Sequence, residues 1–206
     1  MAASVDLDDL PPMHAPDSRR MRAEASVGLK AVLFVIAVLL ALTHGIALNP
    51  SSKVSGLPEG ARIACLVLIH LEAVMALICL ERILRADPGV IRRGPETCRP
   101  VPHAVAERIS SNRGLRELRN VDDPKRGVYC VRCLVWRPRD RKAHHCSTCQ
   151  RCVLDFDHHC GFFGRCIAGT ATSGNLPWFF LIITFGYLGA LTCLIFCLAA
   201  IILATQ

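Results

Sequence analysis

LPWFFLIITFGYLGALTCLIFCLAAIILAT, residues 176–205, runs for 30 positions without a charged side chain. Roughly 20 apolar residues span a bilayer as an α-helix, so this block crosses with length left for tilt. Two more apolar blocks lie upstream: LKAVLFVIAVLLALTHGIAL (29–48) and IACLVLIHLEAVMALICL (63–80). His44 interrupts the first, and His70 and Glu72 the second. A helical hairpin buried in a soluble core is the competing reading for these two. Polar groups at membrane depth usually face other helices, which leaves His70 and Glu72 a weak functional signal. The averages over 206 residues, 52% apolar and 20% charged, describe an ordinary domain and hide this segregation.

Lysine and arginine set the expected orientation, because cytoplasmic flanks carry the excess. Arg19, Arg20, Arg22 and Lys30 precede or open the first block, and only Lys53 and Arg62 lie between blocks one and two. Between blocks two and three, from Glu81 to Arg165, stand 18 of the 24 Lys and Arg. The N-terminus and this large loop are therefore expected in the cytoplasm, with the 49–62 hairpin and the C-terminus on the other side. The polar leader is too long for a cleavable signal peptide, and Met-Ala-Ala does not indicate myristoylation.

The expected organisation is a flexible cytoplasmic tail (1–27), two transmembrane helices with a short lumenal hairpin (28–84), a basic connector (85–128), a cysteine-rich domain (129–170) and a third transmembrane helix (171–206). Asp87-Pro88-Gly89 is a turn signal that ends the second helix. AVAERISSNRGLRELRN (104–120) reads either as a basic helix on anionic headgroups or as a solvated connector broken at Gly114. Cys65, Cys79, Cys193 and Cys197 read as packing residues and Cys98 as an idle thiol or an acylation target, while Trp178 and Phe179 suit interface anchors.

The loop carries Cys130-x-x-Cys133, then His144-His145-Cys146-x-x-Cys149-x-x-Cys152, then Asp157-His158-His159-Cys160, then Cys166. Disulfides do not suit a cytoplasmic loop. Thiolates and imidazoles at these spacings suit zinc, which takes four ligands in a structural site. Two sites take eight ligands, and the loop offers seven Cys and four His; six Cys and two His fill both, leaving one Cys and two His for other work. Counting does not say which Cys is spare, and one zinc with loose thiols, or a RING-like pair, also satisfies it. A two-Cys, two-His nucleic-acid finger does not fit, since no His-x(3–5)-His pair follows Cys130 and Cys133.

Asp157-His158-His159-Cys160 within this array, with Asp87-Pro88-Gly89 after the second span, resembles the DHHC family of protein S-acyltransferases (palmitoyltransferases). The resemblance runs from about the second span to the third. It implies an α-helical polytopic membrane protein with a zinc-stapled cytoplasmic loop, in an endomembrane (ER or Golgi) or the plasma membrane. One zinc would be held by Cys130, Cys133, His145 and Cys152, and the second by Cys146, Cys149, His159 and Cys166. Cys160 becomes the nucleophile, His158 its base and Asp157 the residue that orients the base. The acyl donor would be a fatty acyl-CoA such as palmitoyl-CoA, and the acceptors cysteines of membrane-associated proteins. Arg139, Arg141, Lys142, Arg151 and Arg165 are candidates for CoA phosphates or anionic lipid. Gly161-Phe162 stands where the family has Pro-Trp, the Cys133–His145 gap is about two residues longer than usual, and Asn175 falls about four residues late. The family's fourth span and Thr-Thr-x-Glu motif do not follow the third span. These departures motivate a second reading, a non-catalytic membrane zinc protein that binds partners.

Overall fold

The structure is a computed structural model that describes residues 5–48 and 57–205. The 49–62 hairpin with Lys53 falls mostly outside these, as do the Met-Ala-Ala start and Gln206. Two units emerge: one combines Met1–Ala25 with Ala86–Pro177, the other Ser26–Arg85 with Trp178–Gln206.

The second unit is helical because its sequence offers long apolar runs with no proline inside them. Three helices, α1 (Ser18–Ala47), α2 (Glu59–Arg85) and α5 (Leu176–Ala204), each contain an 18-residue stretch of mean hydropathy 2.5 to 2.6 and are long and apolar enough to cross a membrane. Phe34, Leu71, Tyr187 and Ile201 stand exposed along them. Exposed apolar surface on this scale suits lipid rather than water. Some polar residues of the spans meet one another across helices instead. Glu72 is buried and its Oε1 accepts a hydrogen bond from Thr192 at 2.9 Å. The His44 and His70 rings meet edge to face at 5.0 Å, and the guanidinium of Arg82 lies 5.4 Å from the centre of the Trp178 ring.

The first unit is built from short pieces. It holds α3 (Pro95–Cys98), α4 (His103–Ser110) and eight strands, β1 (Val121–Asp123), β2 (Gly127–Cys130), β3 (Val135–Arg137), β4 (His144–Cys146), β5 (Arg151–Val153), β6 (Phe156–Cys160), β7 (Arg165–Thr170) and β8 (Ser173–Gly174). They form antiparallel sheets ordered β1-β2-β3, β4-β5 and β6-β7-β8. Asp87 makes the expected turn after α2: its Oδ1 accepts the N–H of Gly89 and of Val90, both at 2.9 Å. Burial opposes the Asp87 charge, but these two N–H groups and Arg92 hold its pKa below the usual value. The turn then joins β5, since Gly89 O accepts the N–H of Leu154 and Val90 bridges Val153.

Three expectations change here. The segment 104–120 is not one helix: α4 stops at Ser110, and Asn112 adopts a left-handed φ of 50° before Gly114 is reached. Cys98 is fully buried in the core with Val105 and Tyr129, which makes it a packing residue. Within the expected 1–27 tail, the described residues from 5 onward make contacts to the rest of the unit. Leu10 is buried in that same core, Arg93 donates to Pro11 O at 2.7 Å, and Arg151 donates to His14 O at 2.9 Å. Asp17 then caps α1, its Oδ1 accepting the N–H of Arg20 at 3.0 Å. Such long-range backbone contacts leave no periodicity in the sequence to read.

The first turns of α1 lie against the strands of this unit. Asp17 N–H donates to Thr148 O at 3.1 Å, and Gly164, with φ +63°, abuts the backbone at Met21 and Ala25. A Cβ at Gly164 would overlap the Met21 carbonyl oxygen, besides being strained at that φ. Gly164→Ala is therefore expected to cost about 1–3 kcal/mol for the strain, before any overlap is relieved. A lowered thermal midpoint of the solubilised protein reads this out, and an unchanged midpoint rejects it.

Candidate functional site

Eight side chains of the loop converge in two groups, each with its donor atoms within 4.8 Å of one another: Cys130, Cys133, His145 and Cys152, and Cys146, Cys149, His159 and Cys166. These are the quartets that the resemblance implied. Hairpins make them. β2 carries Cys130 into a turn that ends near Cys133, where Leu134 takes a left-handed φ of 58°. β4 pairs with β5 so that His145 sits opposite Cys152, and β6 with β7 so that His159 sits opposite Cys166. Directly opposed residues share a face, so each pairing delivers an imidazole and a thiol to one point. β4 itself supplies adjacent residues to different quartets, His145 to the first and Cys146 to the second. Alternation along a strand turns neighbours to opposite faces, and that interleaves the sites.

In the first quartet His145 Nδ1 stands 3.2 Å from Cys133 Sγ and 3.6 Å from Cys130 Sγ. In the second, His159 Nδ1 stands 3.4 Å from Cys149 Sγ and 3.5 Å from Cys146 Sγ. Cys149 and Cys166 sulfurs lie 3.4 Å apart, well beyond a disulfide bond. Hydrogen bonds from Cys133 and Cys152 pull Cys130 far down toward thiolate, and those from Cys149 and Cys166 do the same to Cys146. The thiols that donate are held up by those same hydrogen bonds: Cys152 by the one to Cys130, Cys166 by the one to Cys146, and Cys149 to about 11 by the one to Cys146. Hydrogen bonding to Cys130 and Cys133 raises His145 to about 9. Three sulfurs so close ionise together only around a cation. The donor set, three thiols and one imidazole per site and mostly buried, fits a tetrahedral thiophilic ion.

Strand β6 also separates the two adjacent histidines. Its register pairs His158 with Ile167, His159 with Cys166 and Cys160 with Arg165, with an irregularity between Phe156 and His158 that sets Asp157 out of the ladder. His159 faces the second quartet. His158 and Cys160, two apart, share the other face. Asp157 Oδ2 lies 2.7 Å from His158 Nδ1. A carboxylate in that place accepts the Nδ1 proton, which leaves Nε2 as the basic ring atom. Cys160 is buried, at 8% exposure, while Phe162 nearby is exposed.

The structure also places the late asparagine and the basic candidates. Asn175 is fully buried: its Oδ1 accepts the N–H of Ala168 at 3.0 Å, and its Nδ2 donates to Cys166 O at 2.9 Å. The β7–β8 hairpin, with Gly169 opposite Gly174, returns the chain so that this late asparagine braces the strand of Cys166, a member of the second quartet. Four of the five basic candidates have partners inside the unit. Arg139 pairs with Asp122, Arg141 with Asp155, Arg151 donates to His14 O and Gln150 O, and Arg165 donates to Ala86 O. The Gly161 backbone needs no glycine, since a Cβ there meets nothing closer than Glu24 Oε1 at 3.8 Å.

Residues 123–206 match the family model described as DHHC palmitoyltransferase. The chain is similar to probable protein S-acyltransferase 13 of Arabidopsis thaliana, 26% identical over 162 residues, 78% of this chain and 51% of that protein. It is also similar to palmitoyltransferase pfa3 of Aspergillus fumigatus, 31% identical over 176 residues, covering 76% and 28% of the two. Palmitoyltransferase PFA3 of Debaryomyces hansenii is 62% identical over 39 residues, 19% of this chain and 9% of that protein. The chain spans about half or less of the length of these relatives.

Proposed function

We propose that this protein is a protein S-acyltransferase working through Cys160, a reading supported by the match of residues 123–206 to the family model described as DHHC palmitoyltransferase. It moves a fatty acyl group, palmitoyl in the first instance, from acyl-CoA to cysteines of membrane-associated proteins. The observation that carries the reading is the division of labour on β6: His158, hydrogen-bonded to Asp157, shares a strand face with Cys160, while His159 joins the metal-ligand quartet.

A cysteine with an ordinary pKa of about 8.5 is only a few per cent thiolate at neutral pH, so it needs a base. His158 Nε2 takes the proton from Cys160 Sγ, and Asp157 stabilises the imidazolium that results. The thiolate attacks the thioester carbonyl of acyl-CoA. As the tetrahedral adduct collapses, the C–S bond to CoA breaks and the CoA sulfur takes the proton from His158. Acyl-Cys160 remains. The acceptor thiol then gives its proton to His158, attacks the acyl group, and Cys160 leaves as the thiol. One thioester replaces another, so the exchange needs no further energy source.

Zinc suits the two quartets, Cys130, Cys133, His145 and Cys152 with Cys146, Cys149, His159 and Cys166, and when bound it would neutralise their thiolates and cross-link short hairpins. The loop is assigned to the cytoplasm on its 18 Lys and Arg.

Incubating the purified protein with labelled palmitoyl-CoA is expected to give a hydroxylamine-sensitive label on the chain. Cys160→Ser should lower it by at least about a thousandfold, the scale on which losing a nucleophile acts. Equal labelling of the variant would refute the role of Cys160. Two bound zincs with no label on the wild type would favour the non-catalytic reading.

A further inference from the structure

The two quartets differ behind their histidines. In the first, His145 Nε2 is buried with no hydrogen-bond partner among the described residues. In the second, His159 Nε2 lies 3.2 Å from Glu24 Oε2, with only 13% and 17% of the two side chains exposed. Glu24 comes from the first turns of α1, 135 residues earlier in the chain. Its other oxygen, Oε1, accepts from Arg20 Nε at 2.7 Å. Two anchors hold these turns in place, the Asp17 N–H to Thr148 O bond and the close backbone approach at Gly164. Thr148 lies between two ligands of the quartet, Cys146 and Cys149.

We infer that Glu24 is the positioning residue of the second metal site, accepting the Nε2 proton of His159 and so presenting Nδ1 to the ion. The inference rests on reading the second quartet as a zinc site. The chemistry follows from the two ring nitrogens. His159 Nδ1 faces Cys146, Cys149 and Cys166, so a neutral ring that ligates through Nδ1 must carry its proton on Nε2. A carboxylate at Nε2 fixes that tautomer, holds the ring plane and raises the basicity of the ligating nitrogen. Arg20 offsets the added negative charge beside a site that already holds three sulfurs. His145 has no such partner, so the first site is the internal control. His159 also shares β6 with Cys160, which makes the strand that carries the reactive thiol dependent on a helix start far away in sequence.

The test measures zinc release from the full chain in detergent, with EDTA as competitor and a chromophoric indicator. Wild type and Glu24→Gln are compared, the latter keeping the shape and a hydrogen-bonding group while removing the charge. Two zincs per wild-type chain are expected. Glu24→Gln should weaken one of them by about 10- to 100-fold and leave the other unchanged. Cobalt(II) substituted for zinc should show a changed ligand-field spectrum at one site only. Glu24→Asp, which keeps the charge, should recover part of the loss. Unchanged release and spectra in Glu24→Gln would overturn the inference while leaving the metal sites standing. Equal weakening of both sites would also overturn it, because a merely structural role for the helix start predicts that result. A wild type that binds no zinc would instead remove the metal reading itself, and the inference with it. None of these readouts depends on acyl transfer, so the proposed activity stands or falls separately.

Discussion

Removing zinc from the protein with a strong chelator is expected to unfold the cysteine-rich unit while the membrane helices persist. The strands of this unit are two to six residues long, in sheets of three, two and three. Pieces that short do not hold together by pairing alone. The buried core around Leu10, Val105, Tyr129 and Val135 includes Cys130, Cys133 and Cys152, so part of it consists of candidate ligands. Bound zinc contributes roughly 10–16 kcal/mol of apparent free energy in small zinc-folded peptides. Whole domains are stable by only about 5–15 kcal/mol. Without the ion, three thiols and an imidazole must crowd within 4.8 Å with their charges unbalanced. The measurement is limited proteolysis with trypsin. Arginines on short strands and turns, such as Arg132, Arg137 and Arg151, should become cleavable after chelation and protected again on adding zinc. Helical circular dichroism should stay largely intact, because α1, α2 and α5 satisfy their own backbones. An unaltered digestion pattern after both zincs are gone would count against metal-dependent folding.

The second large effect separates the two adjacent histidines. His158→Ala is expected to slow single-turnover formation of acyl-Cys160 by about 10²–10⁴-fold, the range for loss of a general base. Zinc content and protease resistance should be unchanged, because His158 is outside both quartets and its side chain is 40% exposed. Asp157→Asn should act in the same direction by disturbing the Nδ1 hydrogen bond and with it the tautomer. His159→Ala should instead lose one zinc and open the fold, whatever happens to the rate. A His158→Ala protein with wild-type kinetics, or one lacking zinc, would sink the assignment.

Much of the candidate site was legible before folding, because ligand chemistry is local. Cys-x-x-Cys steps and His pairs name the donor types, and four ligands per zinc makes one cysteine spare. The resemblance distributed them, and the structure gathers the same quartets. What stayed hidden depends on where distant backbone comes to lie. Asn175 looked displaced because the β7–β8 hairpin that brings it back to Cys166 leaves no spacing rule. The arginines that looked like phosphate ligands meet partners such as Asp122 and Asp155, and charge counting does not distinguish a paired arginine from an unpaired one.

By itself the sequence determined three apolar helices, an expected cytoplasmic loop and a set of side chains able to ligate a metal. Each of these follows from composition or spacing over a few dozen residues, where hydrophobic burial and chelation act directly. Only the tertiary structure decided which face of β6 each histidine takes, and that residues 5–25 pack against the loop instead of trailing from it. It also decided that Glu24 meets His159 across 135 residues of chain. Those outcomes depend on strand register and on a helix start capped by Asp17, and contacts of that range exist only once the backbone has folded.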